Sequence, residues 1–325
     1  MATTDDEIAS ELLPLLRVYK SGRVERLLGS PIVPPSPQGD PHTGVSSKDI
    51  TIKSPSISAR LYLPTTTQKL HILFYFHGGA FCIESAFSSI HHRYLSLLSA
   101  RASALVVSIE YRLAPEHHLP AAYHDAWDSF LWLLSHSSQE ILTDSSNVDH
   151  QQQEQWVLNH GDFDRLFIGG DSAGANLAHD VAMRVGSTES KTRIIRGVLL
   201  SQPYFWGSAR MGIEKGRPDD SDFITSLWLF TSGGAGLDDP MINPFAKEAP
   251  SLAGLGCFKV LMCVAGDDIL KERGKAYYEE LKKSGWDGDV ELFEVEGEGH
   301  AFHALDTDSE NSKLMIGRLA SFLNQ

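Results

Sequence analysis

The sequence predicts an α/β fold built on a mostly parallel, doubly wound sheet flanked by helices. Three observations carry this expectation. The apolar runs Leu70–Phe76, 105–109, 194–200 and 258–264 are continuous rather than alternating, as in strands covered on both faces. Segments of helical spacing fall between them; in Ala121–Leu134, residues Ala122, Ala126, Trp127, Phe130, Leu133 and Leu134 share one face. The run Leu166-Phe167-Ile168 leads into Gly170-Asp171-Ser172-Ala173-Gly174, and a helical pattern over 175–185 follows at once. Strands alternating with helices in this way stack into a doubly wound sheet.

Taken in chain order, residues 1–45 hold one amphipathic segment over 7–19 and then an extended stretch with Pro31, Pro34, Pro35, Pro37 and Pro41. That stretch is too rich in proline for a sheet strand, and it is expected to wrap over the body as part of a cap. Segments 49–53 and 58–63 alternate and read as an antiparallel pair. Residues 135–154 are polar and read as a surface loop, because the strand–helix alternation resumes beyond them. A helix over 274–283, a strand over 290–295 and a closing helix over 309–323 complete the pattern. Residues 204–250 form a long insert rich in Gly, Asp and Pro, read as irregular; an insert of that length in a compact domain is usually functional. The expectation is therefore one domain over 1–325, with 1–45 and about 204–250 contributing the cap.

Composition narrows the function. The 325 residues carry 28 Lys+Arg against 42 Asp+Glu, a net charge of −14. So much negative charge repels phosphate backbones and anionic lipid surfaces, which argues against a nucleic-acid or membrane partner. The acidic start Met1-Ala2-Thr3-Thr4-Asp5-Asp6-Glu7 lacks the features of a signal peptide, and no run is long enough to span a bilayer. The three cysteines, Cys82, Cys257 and Cys263, form no C-x-x-C pair. Their apolar flanks favour buried free thiols over a Cys257–Cys263 bridge and point to a reducing, cytoplasmic setting.

Chemistry concentrates at four places. Strand, sharp turn and helix around G-x-S-x-G is the context that lifts a serine hydroxyl above a sheet edge. A serine needs a base, and the base needs an anion to orient it. In hydrolases built on this turn the chain order is Ser, acid, His. Downstream of Ser172 lie Asp267-Asp268, after the 258–264 run, and His300, after the 290–295 strand. Both positions fall at strand ends, the edge where doubly wound sheets place ligands. The residues alone leave Asp267 and Asp268 open. The fourth place is His77-Gly78-Gly79-Ala80-Phe81. Backbone N–H groups of Gly78 and Gly79, with that of Ala173, are expected to form an oxyanion hole.

Five motifs together resemble plant carboxylesterases of the hormone-sensitive-lipase-like group: His77-Gly78-Gly79-Ala80, Tyr111-Arg112-Leu113-Ala114-Pro115-Glu116, Gly170-Asp171-Ser172-Ala173-Gly174, Asp268-Ile269-Leu270 and His300-Ala301-Phe302. The similarity runs nearly end to end, from Tyr19-Lys20-Ser21-Gly22 through Pro203-Tyr204-Phe205-Trp206-Gly207 and Asn243-Pro244. The resemblance implies an α/β-hydrolase fold with a mostly helical cap. It implies Ser172 as nucleophile, Asp268 as acid, His300 as base, and Gly78, Gly79 and Ala173 as oxyanion donors. Ala80 departs from a glycine frequent in that motif. The implied activity is hydrolysis of short-chain acyl esters or esters of plant specialised metabolites, by a monomer or homodimer without a cofactor. The same resemblance admits two other readings: a lyase that dehydrates or cyclises such metabolites, and a hormone receptor, which the presence of His300 disfavours.

Other residues have blander readings beside functional ones. His77 and Asp171 read as structural supports of the oxyanion loop and the serine turn. Arg112 and Glu116 read as a buried pair behind that loop. The doublets His91-His92 and His117-His118 do not read as metal sites, because adjacent helical side chains point apart. Phe81, Phe205, Trp228 and Phe302 are expected at the apolar wall of the substrate pocket, the alternative for each, as for Trp206, being the core.

Overall fold

In the computed structural model the described residues are 7–53, 55, 57–65, 67–137, 153–188 and 193–325. Eleven strands are formed among them: β1 (Ile8–Leu12), β2 (Leu16–Tyr19), β3 (Val24–Arg26), β4 (Ser46–Lys53), β5 (Ile57–Leu63), β6 (Leu70–Phe76), β7 (Leu105–Glu110), β8 (Gly161–Asp171), β9 (Gly197–Ser201), β10 (Lys259–Ala265) and β11 (Asp289–Val295). The helices are α1 (Ser89–Ala102), α2 (Ala121–Leu134), α3 (Gln155–His160), α4 (Ala173–Gly186), α5 (Pro218–Thr231), α6 (Lys271–Lys283), α7 (Phe302–Leu305) and α8 (Glu310–Leu323).

Eight strands make one sheet in the order β11-β10-β9-β8-β6-β7-β5-β4. From β7 to β11 every neighbouring pair is parallel, while β5 joins β7 and β4 antiparallel. The apolar run of β6 explains its central place. Leu70, Ile72, Phe74 and Phe76 pack into one core with α2, α4 and α6. Leu73 and Tyr75 pack into the other with α1 and α8. Side chains alternate across a strand, so only a strand apolar at every position can feed both cores.

The expected parallel elements are all present, with ends shifted by a few residues. Three features differ from the sequence reading. The amphipathic segment over 7–19 is two strands, β1 and β2, which with β3 form a separate antiparallel sheet. Its apolar residues serve a turn, where Leu15 and Leu16 are buried, rather than a single continuous face. Helix α1 was not expected. Its face is studded with Ser and His, and it buries Ser96 and Ser99 alongside Tyr94, Leu95 and Leu98. The 204–250 insert holds a full helix, α5, which opens with Pro218 and with Asp219 and Asp220 in its first turn. Proline at the first position and acids near the positive end of the helix dipole are start signals. Of the polar segment 135–154, residues 138–152 lie outside the described residues, as do Met1 to Asp6. No described helix is long and apolar enough to cross a membrane.

Candidate active site

Ser172 stands at the junction of β8 and α4 with φ 53° and ψ −116°, outside the usual regions for a residue with a side chain. The turn closes only because its flanks are bare. A Cβ on Gly170 would lie 2.3 Å from the Gly174 carbonyl carbon, and one on Gly174 2.0 Å from the Phe76 oxygen. The hydroxyl is 8% exposed as part of its residue, at the wall of a cavity of about 420 Å³.

Asp268 and His300 reach the same point from the loops after β10 and β11. His300 Nε2 lies 2.9 Å from Ser172 Oγ, and His300 Nδ1 lies 2.8 Å from Asp268 Oδ2. The other Asp268 oxygen accepts the Leu270 N–H at 3.0 Å. The backbone of Asp267 is tied elsewhere, and the carboxylate bonded to the imidazole is that of Asp268. The Asp267 N–H donates to the Glu298 carbonyl at 2.9 Å and its carbonyl accepts from Arg217 Nη1 at 2.8 Å, so the geometry selects Asp268. Partial loss of solvent opposes a charge on His300, whose side chain is 37% exposed, but the Asp268 carboxylate and its hydrogen bond outweigh it. The imidazole is held above its ordinary range, with Asp171 adding to the pull.

Asp171 is buried and links the serine turn to the loop after β6. Its Oδ1 accepts the Tyr75 hydroxyl at 2.7 Å and the Gly78 N–H at 3.1 Å. His91 Nε2 is 3.5 Å from the same oxygen. Burial pushes this carboxyl up, yet His91 and the Tyr75 hydroxyl hold it well below the usual carboxylate range. This corrects one expectation. Gly78 is not a free oxyanion donor, because its N–H is committed to Asp171, and it does not line the cavity. Gly79 (φ 111°) and Ala80 (φ 51°) do line it. Their N–H groups, with that of Ala173 at the first position of α4, take no acceptor among the described residues. The left-handed turn at Ala80 is the signal that the sequence concealed, since a glycine there would have advertised it.

His77 supports this loop, as expected. Its ring stacks on Tyr111 with centroids 4.3 Å apart, and the Tyr111 hydroxyl donates to its carbonyl at 2.7 Å. Burial drives its pKa down to about 3, which keeps the ring neutral. Arg112 and Glu116 do not pair. Arg112 binds Asp125, and Glu116 binds Arg26 of β3 through both guanidinium Nη atoms at 2.8 and 2.7 Å. Arg26 Nε also donates to the Cys82 carbonyl at 2.8 Å, which fastens the N-terminal sheet to the oxyanion loop.

The four aromatic residues expected at the pocket wall are core instead. Phe81 packs between Tyr123 and Tyr204, Phe205 stacks on Tyr277, Trp228 donates its indole N–H to the Gly236 carbonyl, and Phe302 joins the α1/α8 core. Trp206 is core as well. The apolar wall comes from Leu15 beside β2, from Phe223, Ile224 and Leu227 of α5, and from Tyr204. Sequence reasoning also missed Gln202, whose side-chain oxygen accepts the Ala301 N–H at 2.5 Å and braces the His300 loop. The three thiols are free and buried, with Cys82 and Cys263 pushed up to about 12 by burial. Among the described residues no three His, Cys, Asp or Glu side chains gather as a metal site.

A family model for the alpha/beta hydrolase fold matches residues 73–304. The chain belongs to that family, among the plant carboxylesterases of its hormone-sensitive-lipase-like, esterase-type branch. It is 53% identical to a 2-hydroxyisoflavanone dehydratase of Glycyrrhiza echinata, over 99% of this chain and 98% of that protein. It is 46% identical to tuliposide A-converting enzyme 1 of Tulipa gesneriana, over 98% of this chain and 79% of that protein. It is 42% identical to probable carboxylesterase 7 of Arabidopsis thaliana, over 99% of this chain and all of that protein. Among solved structures, an esterase of Pyrobaculum calidifontis superposes with a TM-score of 0.68 at 24% identity, covering 85% of this chain and 84% of its own, a likeness of fold.

Proposed function

We propose that the protein is a serine carboxylesterase that works through an acyl-enzyme. One observation carries the reading: a single imidazole bridges the Ser172 hydroxyl at 2.9 Å and the Asp268 carboxylate at 2.8 Å. His300 takes the Ser172 proton as Oγ attacks the ester carbonyl. The carbonyl oxygen gains negative charge against the N–H groups of Gly79, Ala80 and Ala173. His300 then gives its proton to the departing alcohol oxygen and the acyl-enzyme remains. Water repeats the sequence, losing a proton to His300, and frees the acid and Ser172. Asp268 stays ionised and stabilises the imidazolium. The N-terminal sheet and the 204–250 insert serve as the cap, since Leu15, Arg217 and the α5 residues supply one side of the cavity. Its size suits a short acyl group with an aromatic or other compact alcohol. The buried free thiols fit a reducing compartment such as the cytoplasm.

A second reading has a specific support, the 53% identity to a protein named as a dehydratase. In that case His300 would remove a proton beside a carbonyl, the oxyanion donors would hold the enolate, and hydroxide would leave as water after protonation. No bond to Ser172 would form. An organophosphonate trap followed by a panel of esters and β-hydroxy ketones separates the readings. The esterase reading expects one phosphonate per chain, on Ser172, and turnover of the esters alone. Turnover of the hydroxy ketones without the esters would favour the lyase.

A further inference from the structure

The cavity wall is mostly apolar, and one of its polar features has no part in the relay or the oxyanion loop. Glu84 lies on the loop between β6 and α1, lines the cavity, and its side chain is 10% exposed. Its backbone is left-handed, φ 66°, a conformation that a residue with this side chain adopts only when its surroundings enforce it. The enforcement is visible. Oε1 accepts the Ser30 N–H at 2.9 Å and Oε2 accepts the Ser30 hydroxyl at 2.7 Å. His91 Nδ1 is 3.8 Å from Oε2, but it is bonded to the Ser88 hydroxyl at 3.0 Å.

Each carboxylate oxygen has two acceptor sites, so each retains capacity beyond its single Ser30 bond. A carboxylate held at an apolar wall with spare lone pairs is costly unless a donor completes it. The other lining carboxylates are placed differently. Asp268 serves His300 and Asp171 ties the serine turn to the loop after β6, so both already have a part in the site, and Asp220 and Asp267 sit exposed at the rim, where water competes.

We propose that Glu84 forms a subsite that accepts a hydrogen bond from a hydroxyl group of the substrate. The inference rests on the esterase reading for its turnover test alone. A hydroxyl is the fitting donor, because it needs one strong acceptor and its carbon neighbours can rest on Ile83 and Ile90. An ammonium group would bring three donors into a wall that completes only one.

The test uses matched esters that differ by one hydroxyl: p-nitrophenyl 3-phenylpropionate against its 4-hydroxyphenyl analogue for the acyl side, and 2-naphthyl acetate against 7-hydroxy-2-naphthyl acetate for the alcohol side. In one of the two pairs the hydroxylated ester should have a kcat/KM about tenfold or more higher, the size of effect expected of a charge-assisted hydrogen bond. Glu84→Leu, which has no acceptor, should bring that ratio close to one. A second measurement is independent of hydrolysis: calorimetric binding of 2-naphthol and 2,7-dihydroxynaphthalene, and of the two phenylpropionamides, to the Ser172→Ala protein. There too the hydroxylated member of one pair should bind more tightly, with the difference lost when Glu84→Leu is added. If neither pair discriminates in turnover or binding, or if discrimination survives Glu84→Leu, the subsite does not exist. Loss of all ester turnover with discrimination intact in binding would remove the esterase reading and leave the subsite standing.

Discussion

His300 sits between two influences, and their balance fixes how activity should depend on pH. The base must be neutral to accept the Ser172 proton. Partial desolvation favours the neutral ring, but the Asp268 carboxylate prevails and raises its pKa above the ordinary 6.5. On the proposed mechanism the free enzyme is therefore protonated and inactive at low pH. kcat/KM should rise with pH through a midpoint above 6.5, measured on a neutral ester. Asp171 contributes to that pull and also anchors Gly78. Asp171→Asn removes a negative charge near the imidazole and weakens the tie between serine turn and oxyanion loop. We expect the midpoint to move down and kcat to fall by about 10- to 100-fold with little change in KM, because the lost alignment matters most when the oxyanion forms. A variant with an unchanged midpoint and kcat would assign Asp171 a purely structural role. The chain of motifs made the three relay residues legible, since Ser, Asp and His stand in order at strand ends. The oxyanion donors were legible only in part. A bare glycine reads as a donor, whereas the neighbouring carboxylate claims the N–H of Gly78 and the left-handed Ala80 is the one proposed to offer its own.

At the scale of elements, the insert is fastened to the body by a buried ion pair. Arg273 of α6 donates to Glu214 through Nε at 2.7 Å and Nη2 at 2.9 Å, and to the Ala209 carbonyl at 2.7 Å. Its guanidinium also lies over Trp206, 5.1 Å from the ring centroid. Arg273 follows Asp268 by five residues, in the first turn of α6, so the pair joins the insert to the loop that carries the acid. Arg273→Leu would strand a buried carboxylate. It should cost about 3–5 kcal/mol in denaturant unfolding, and adding Glu214→Leu should recover part of the loss. An unchanged midpoint would mean that the pair carries no such burden. Neither partner was legible in advance, because 59 positions separate them and nothing local marks either as buried. Helix α5 was more readable than the reading allowed. Pro218-Asp219-Asp220 announces a helix start, and only the surrounding glycines disguised it.

For the whole molecule, the sheet does the assembling. The parallel strands β6, β8, β10 and β11 end on one edge, and the oxyanion loop, Ser172, Asp268 and His300 all emerge there. Continuous apolar runs foretold β6 and β10, because both their faces are covered. The cap was legible as a location and not as a surface. Aromatic side chains of Phe81, Phe205, Trp228 and Phe302 went to the core, and the cavity wall was left to Leu15, Phe223, Ile224 and Leu227. Which apolar residue faces a cavity is settled by packing between distant segments, and no local pattern records it. The proposed chemistry requires that the hydroxyl at the β8–α4 turn be the nucleophile. The decisive measurement is hydrolysis of p-nitrophenyl acetate by folded Ser172→Ala protein. Turnover should fall by a factor on the order of 10⁶; turnover near that of the unaltered enzyme would mean that another group is the nucleophile.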